Sequence, residues 1–558
     1  GYLVVVQDVR GQGDSEGTFR GFSQEADDTV QTHDWVRSLP DCNGRIGCYG
    51  FSYQGITQLL APADAPPPDC LAPAMAGLDE RRHWSSEGGA HWWHLNLGWG
   101  LQLAAQQARR RGDSHGWEAI RRALEDGSYL RDGPELLQRH DPDGMACRWL
   151  SQDPADGTAW HRHDAPQSWL RQPMLLLGGW WDPHLLGVLD LYRRSEEAGG
   201  TPELHIGPAT HLQWWPGAQT VLLRFFDQHL KKVQTGQDQL HLWDLGTKQW
   251  TSRPQPTALS WSLQGEGLAC LDPASGRLNP NEAGVGQERI VHDPWRPVPA
   301  IGGHLSPSAG PADRQSLDAR ADVATFTTAP LDGPLELAGQ PQLLIRAGAD
   351  QPGFDLCLVL SRLPQGSAAV EQVSSGVLRV LGAEAEQMAE RRVLLQPLLA
   401  TCSSGDRLRR SIAAAAWPAI GVNPGTPAPP GAAAVPPQQP RPGPGGRGAA
   451  RAGTWRSTSP RAARSQRRAA APNNRRDARR ARARGPRQAQ ARRSPRGRRA
   501  ARGPRGRTYA KGVAATREAA SKARRGRGGG GSCCGGGGSR PRPRARAGSP
   551  YPRARTSA

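Results

Sequence analysis

The sequence predicts an α/β domain on a parallel sheet, followed by an all-β domain. Three observations lead there. Continuous apolar runs, Tyr2-Leu3-Val4-Val5-Val6 and Met174-Leu175-Leu176-Leu177, alternate with stretches of helical periodicity. Strands buried on both faces of a parallel sheet read this way, with their crossover helices between them. A serine lies among small residues at a strand-to-helix turn, in Gly50-Phe51-Ser52-Tyr53-Gln54-Gly55. From about residue 238 to 425, short strands punctuated by Pro and Gly replace the helical pattern.

Taken in order, residues 2–6 form the first expected strand, running into the glycine-punctuated loop Asp8-Val9-Arg10-Gly11-Gln12-Gly13-Asp14-Ser15-Glu16-Gly17. That loop is no dinucleotide fingerprint: its glycines are wrongly spaced, and Asp14 and Glu16 would repel a pyrophosphate. A helix is expected over residues 23–38. The run Arg45-Ile46-Gly47-Cys48-Tyr49 is the strand before the serine turn, and Ile56, Leu59 and Leu60 share one face of the helix after it. At Gly50 and Gly55 a Cβ would obstruct a turn tight enough to present the Ser52 hydroxyl. Residues 70–78 read as another strand.

From 80 to 165 the character changes to charged helical runs, residues 102–111 and 117–124, around a tryptophan-rich piece with Trp84, Trp92, Trp93 and Trp99. This reads as a helical insertion above the sheet. Its tryptophans suit an apolar substrate wall or the filling of a helical core equally well. Trp92, Trp93 and Trp99, with Trp181 at the next strand end, are the candidate pocket residues. The sheet pattern resumes at Met174 and reaches Gly179-Trp180-Trp181-Asp182-Pro183. A helix follows with Leu185, Val188, Leu189 and Tyr192 on one face. The next strand, residues 203–206, turns at Gly207-Pro208 into Ala209-Thr210-His211, and a closing helix carries Leu222, Phe225, Phe226 and Leu230.

Three chemistry-bearing residues thus stand at three strand ends, in the order Ser52, Asp182, His211. Strand ends on the carboxyl side of a parallel sheet converge, and this order is that of the α/β-hydrolase nucleophile elbow and its partners. A serine hydroxyl is a weak nucleophile, so His211 takes its proton, while Asp182 fixes the imidazole tautomer and stabilises the imidazolium. The Tyr53 backbone N–H, at the helix start, is the candidate oxyanion donor. Asp190 within a helix, His205 within a strand and His184, two residues past Asp182, are the competing groups. No metal is expected: His91-x-x-His94 and His161-x-His163 each lack a third ligand at recognisable spacing.

Composition adds a division. The chain has 558 residues, with 71 Lys and Arg against 51 Asp and Glu. Residues 441–558 hold 35 of the basic and 2 of the acidic residues, a net of +33, leaving 36 and 49 in residues 1–440, a net of −13. An acidic body excludes a nucleic-acid-binding fold, so any such binding belongs to the Arg-, Ala-, Gly- and Pro-rich tail. An inert hydrolase body with a nucleic-acid-binding tail is the reading from a different class. Residues 429–558 are expected to be disordered and foreign to the fold, with Cys533-Cys534 as linker. Nine scattered cysteines argue against a disulfide framework and for the cytoplasm. No membrane span is expected. Gly1 falls inside an apolar run, so the chain reads as lacking upstream sequence, and a leader there stays open.

The runs at residues 1–17, Gly50-x-Ser52-Tyr53-x-Gly55, Gly179-Trp180-Trp181-Asp182, Ile206-Gly207-Pro208-x-x-His211, Ala416-Trp417-Pro418 and Asn423-Pro424 together resemble the CocE/NonD hydrolases. That family includes cocaine esterase, α-amino acid ester hydrolases and X-Pro dipeptidyl-peptidases. The resemblance spans about residues 1–425. It implies an α/β-hydrolase domain (1–79 and 166–235), an inserted helical cap (80–165) and a jelly-roll β-sandwich (236–428). It also implies serine hydrolysis without metal or cofactor, on a small ester or short peptide, with a homodimer as an admissible assembly. The family's second oxyanion donor, a tyrosine hydroxyl upstream of the first motif, has no counterpart here, and its last strand should follow Pro424. Amino-ester hydrolases and X-Pro peptidases need cap carboxylates for a substrate ammonium; Asp79, Glu80 and Glu87 are available, but Arg81, Arg82 and His83 crowd them. The sequence therefore leans toward an ester with an uncharged acyl group.

Overall fold

The computed structural model describes residues 1–427, apart from 235, 237–238, 255–257 and 281, together with the backbone of Thr454–Arg456. Within residues 1–251, in chain order, helix α1 (Glu25–Ser38), strand β1 (Gly47–Phe51), helix α2 (Tyr53–Thr57) and strand β2 (Cys70–Ala74) come first. A π-turn at Arg81–Ser85, a small ladder of β3 (Ser86–Glu87) and β4 (Ala90–His91), and helices α3 (Trp93–Arg110), α4 (Ser114–Asp126), α5 (Tyr129–His140) and α6 (Met145–Ser151) form the insertion. Then come α7 (Gln167–Leu170), β5 (Leu175–Trp181), α8 (Leu185–Glu197), β6 (Glu203–Thr210), α9 (Ala218–Lys231), β7 (Leu240–Asp244) and β8 (Gln249–Thr251). The sheet order is β1-β2-β5-β6-β7-β8, parallel except for the last pair.

Strand parity explains why the apolar runs are continuous. Successive side chains point to opposite faces. Leu71, Met174 and Leu176 enter one core with Ile56, Leu59, Val188 and Leu191. Cys70, Ala72, Ala74, Leu175 and Leu177 enter another, under Trp215, Phe225 and Phe226 of the α9 side. Both faces are covered, so both residue parities must be apolar. In the insertion, α3 aligns Trp93, Leu97, Leu101 and Ala104 against Ile120 of α4 and Leu137 of α5, a core of its own.

Two expectations about strands need correcting. Residues 2–6 form no strand; Leu3, Val4 and Val6 are 47%, 59% and 80% exposed. Among the described residues no strand lies beside them, so a β-prone run has neither a ladder partner nor a face to bury. The strand expected over 70–78 stops at Ala74, because Met75 turns with φ of 47°.

The C-terminal region is β-rich. Strands Glu371–Leu381, Gly353–Leu363, Arg407–Ala413 and Val323–Thr328 lie side by side, each pair antiparallel. Phe354, Leu356, Leu358 and Leu360 bury alternate positions of the second of these against Phe326, Ile345, Val393 and Ile412. Most of the tail lies outside the described residues, as do Cys533 and Cys534. Thr454–Arg456, however, pairs antiparallel with Val285–Gln287, so the expectation of a wholly disordered tail is corrected there: these residues supply a strand edge.

One buried ion pair ties the β-rich region together. Arg379 donates to both carboxylate oxygens of Asp355 at 2.8 and 2.7 Å, and Asn423 Nδ2 adds a bond at 3.1 Å. The Arg379 N–H also donates to Gly88 O of the insertion at 2.8 Å. Removing one partner leaves a buried charge unpaired, so Asp355→Ala is expected to lower stability by about 3–5 kcal/mol in denaturant unfolding. A change below about 1 kcal/mol would show that water replaces the carboxylate.

Candidate active site

Ser52 occupies the turn between β1 and α2 with φ 58° and ψ −127°, strained for a residue bearing a side chain. Its neighbours make that turn fit. Gly50 has φ of 156°, and a Cβ there would lie 2.6 Å from Gln54 Cβ and 2.8 Å from Gln54 O. At Gly55 a Cβ would stand 2.8 Å from both Ala74 O and Ala76 Cβ, so α2 could not seat against β2. The Ser52 N–H donates to Ala74 O at 2.9 Å, fixing the elbow to the neighbouring strand.

Asp182 follows β5 and His211 follows β6, and the three strand ends meet. His211 Nε2 lies 2.9 Å from Ser52 Oγ, and His211 Nδ1 lies 2.7 Å from Asp182 Oδ2. Asp182 is fully buried, and its other oxygen accepts the His184 N–H at 2.6 Å. Burial alone would raise the Asp182 pKa, but the charge and hydrogen bond of His211, helped by His184, outweigh it and hold the carboxyl below its usual value. The Tyr53 N–H opens α2, where a helix provides no internal acceptor. The Tyr53 side chain turns away instead: its hydroxyl donates to Glu25 and accepts from Phe22 N at 2.8 Å.

The four candidate tryptophans separate. Trp93 is corrected: it is fully buried in the core of the insertion, its indole donating to Leu130 O at 3.0 Å, because it begins the apolar face of α3. Trp92 packs with Leu305 and Ala419 and meets the His184 ring edge-on at 5.9 Å. Trp99 stacks on Trp84 at 5.9 Å and approaches Tyr53 at 6.1 Å. Trp181 directly precedes Asp182 and is half-buried.

Several residues around the site escape a reading of motifs. Trp84 lies 4.5 Å from the His184 ring, and Phe51 lies 5.5 Å from the His211 ring. Trp214 Nε1 donates to His211 O at 3.2 Å. Adjacency to Ser52 and to His211 was the available signal for the last two. His184 is no rival to His211: its Nδ1 is committed to His83 O at 2.6 Å, and burial pushes its pKa down to about 4. Its ring nonetheless lies 4.9 Å from that of His211. Gln396, from the β-rich region, donates to Asp182 O at 2.8 Å. Among the described residues, the ligand-type atoms that gather within 4.8 Å belong to Asp182, His184 and His211, and the first and last already bond each other. The two histidine pairs set aside as metal ligands are elsewhere: His91 is buried, and His163 bonds Glu80 at 2.9 Å.

A parallel sheet carrying a serine, a buried aspartate and a histidine at the ends of β1, β5 and β6, with a β-rich region after it, belongs among the serine hydrolases. Residues 1–213 match the family profile of X-Pro dipeptidyl-peptidase (S15 family), and residues 215–445 match the X-Pro dipeptidyl-peptidase C-terminal non-catalytic domain. The chain belongs to this family, that of the CocE/NonD serine hydrolases. The second match runs past residue 428, where the β-domain was expected to stop. Cocaine esterase of Rhodococcus sp. is 27% identical over 447 residues, 72% of this chain and 75% of that protein. A putative serine esterase of Mycobacterium bovis is 26% identical over 409 residues, 61% of this chain and 62% of the relative. An aminopeptidase structure from a marine sediment Thaumarchaeota archaeon has a TM-score of 0.58 at 20% identity, covering 80% of this chain and 82% of its own. An α-amino acid ester hydrolase structure has a TM-score of 0.54 at 19% identity, with the same coverages. The two structural likenesses speak for the fold. No described helix is long and apolar enough to cross a membrane.

Proposed function

We propose that this enzyme hydrolyses a carboxylic ester through an acyl-enzyme on Ser52. The observation that carries the reading is the hydrogen-bonded line from Ser52 Oγ through His211 to Asp182. His211 Nε2 takes the hydroxyl proton as Oγ attacks the ester carbonyl, and Asp182 steadies the imidazolium through Nδ1–H. The Tyr53 N–H donates to the developing oxyanion. Collapse of the tetrahedral intermediate breaks the bond to the alcohol, which leaves with the proton from Nε2. Water, deprotonated by His211, then attacks the acyl-enzyme and the acid departs. In this reading residues 1–79 and 166–235 form the hydrolase domain, 80–165 its cap and 236–428 a jelly-roll sandwich. The seven described cysteines are free thiols, which supports a cytoplasmic enzyme.

The acyl group is read as uncharged because the cap carboxylates are already engaged. Asp79 accepts from Arg82 N at 2.9 Å. Glu80, buried, accepts from Trp149 Nε1 at 2.6 Å and pairs with His163 and Arg148, each at 2.9 Å. Glu87 bonds His304 at 2.6 Å and Val377 N at 3.1 Å. A substrate ammonium would have to displace one of these partners. The alternative, an X-Pro dipeptidyl-peptidase, is favoured by the family match. Turnover of an aromatic ester against an Xaa-Pro-anilide decides between them. The ester reading expects kcat/KM at least about 100-fold higher for the ester, the equivalent of an unpaired buried ammonium costing about 3 kcal/mol. Faster anilide hydrolysis would overturn it.

Glu80 also makes the fold acid-sensitive. Burial raises its pKa, but hydrogen bonds from His163 and Trp149 and the charge of Arg148 overcome this, and the net shift is downward. A depressed carboxyl pKa stabilises the fold above the unfolded value of about 4.3, and that contribution fades as pH falls through the folded value. Glu80→Gln should therefore cost about 3 kcal/mol at pH 7. The melting-temperature gap from the unsubstituted protein should narrow below about pH 4. A gap that is constant with pH would contradict this role.

A further inference from the structure

Along strand Arg407–Ala413, alternation turns Leu408, Arg410 and Ile412 to the same face. Leu408 and Ile412 are core residues at 2% and 1% exposure, and Arg410, at 8%, is buried beside them. Other arginines of the β-rich region are paired: Arg379 with Asp355, Arg314 and Arg409 with Asp318, and Arg362 with Glu371. Arg410 has no such carboxylate among the described residues, and its Nη1 has no hydrogen-bond partner. Burial, with no opposing charge, pushes its guanidinium down to about 10. A buried cation without a counter-ion is costly, since buried charges are ordinarily paired.

Arg410 opens onto a cavity of about 570 Å³ in the β-rich region, walled by Leu263, Leu278, Leu343, Leu360 and Leu398. That volume lies within the range of small-molecule sites, roughly 300–1,000 Å³. Glu282, also on its lining, is held by Gln264 at 2.5 Å, and the exposed Arg346 and Glu390 line it too. None of Ser52, Asp182, His211 and the groups that hold them lines it. Leucines beside one unpartnered, buried guanidinium nitrogen have a definite complement: an alkyl chain ending in an anion that accepts from Arg410 Nη1.

We propose that this cavity binds an amphipathic carboxylate of the medium-chain fatty-acid class, head group on Arg410 and chain along the leucine wall. Isothermal titration of the full chain with decanoate, with decan-1-ol as the uncharged counterpart, tests this. Decanoate should bind one-to-one and at least about tenfold tighter than decanol, the least expected of a hydrogen bond to a buried charged group. Prior inactivation of Ser52 with a fluorophosphonate should leave that binding unchanged. Arg410→Met should fold at least as well as the unsubstituted protein, having lost an unpaired buried charge, and should bind decanoate at least about tenfold more weakly. Arg410→Lys should keep part of the preference for decanoate. Equal affinity for acid and alcohol in the unsubstituted protein overturns the proposal, and that contrast needs no variant to fold. Loss of binding after fluorophosphonate treatment would place the ligand at Ser52 and overturn it equally.

Discussion

Ser52→Ala is expected to lower kcat for ester hydrolysis by about 10⁵–10⁶, with little change in KM. In the proposed mechanism the hydroxyl is the atom that bonds to the acyl carbon, so the variant has no covalent route and keeps only oxyanion stabilisation and substrate binding. Folding should be undisturbed. Ser52 already has a positive φ that alanine must also adopt, and the turn is fixed by Gly50, Gly55 and the bond from the Ser52 N–H to Ala74 O, none of which involves the hydroxyl. A melting curve matching the unsubstituted protein, together with the lost turnover, is the expected pair of results. If turnover survived within about tenfold, another group would have to be the nucleophile.

Asp182→Asn is the second large effect, about 10⁴ in kcat. An amide can donate to His211 Nδ1, which then holds the imidazole with its proton on Nε2, the wrong nitrogen for accepting from Ser52. The loss is electrostatic as well, since no carboxylate remains beside the imidazolium. Asp182 is completely buried and Oδ1 also accepts the His184 N–H, so the amide keeps both contacts, its oxygen on the His184 N–H and its NH2 on His211 Nδ1, but loses the charge that strengthened each. A stability loss of about 1 kcal/mol at neutral pH follows from exchanging two charge-assisted hydrogen bonds for neutral ones. Because the Asp182 pKa is depressed in the fold, the stability gap should close only below about pH 4, where the native carboxyl also protonates.

Some of this was legible from residue order, for local reasons. Gly50, Ser52 and Gly55 sit in one turn, and the steric demand on each can be argued from three or four neighbours. Asp182 and His211 were marked by apolar runs ending in a polar residue, because a parallel sheet delivers its strand ends to one side. Trp93 was misread because a tryptophan on a helix looks the same facing a pocket or facing Ile120 and Leu137. Residues 2–6 were misread because β propensity describes a surface and not a partner. Gln396 on Asp182 joins residues 214 apart, and nothing local to either predicts it. Arg410 was overlooked for the opposite reason: a charged residue in a strand is expected to face water, and this one faces the core.

The central claim is that Ser52 carries the acyl group. The most direct measurement is peptide mapping by mass spectrometry after reaction with a fluorophosphonate, repeated with a slowly deacylating ester. The account predicts one adduct per chain in both cases, on the peptide containing Gly50-Phe51-Ser52-Tyr53 and on the serine itself. An adduct on any other serine, or ester turnover that proceeds undiminished with Ser52 unmodified, would contradict it.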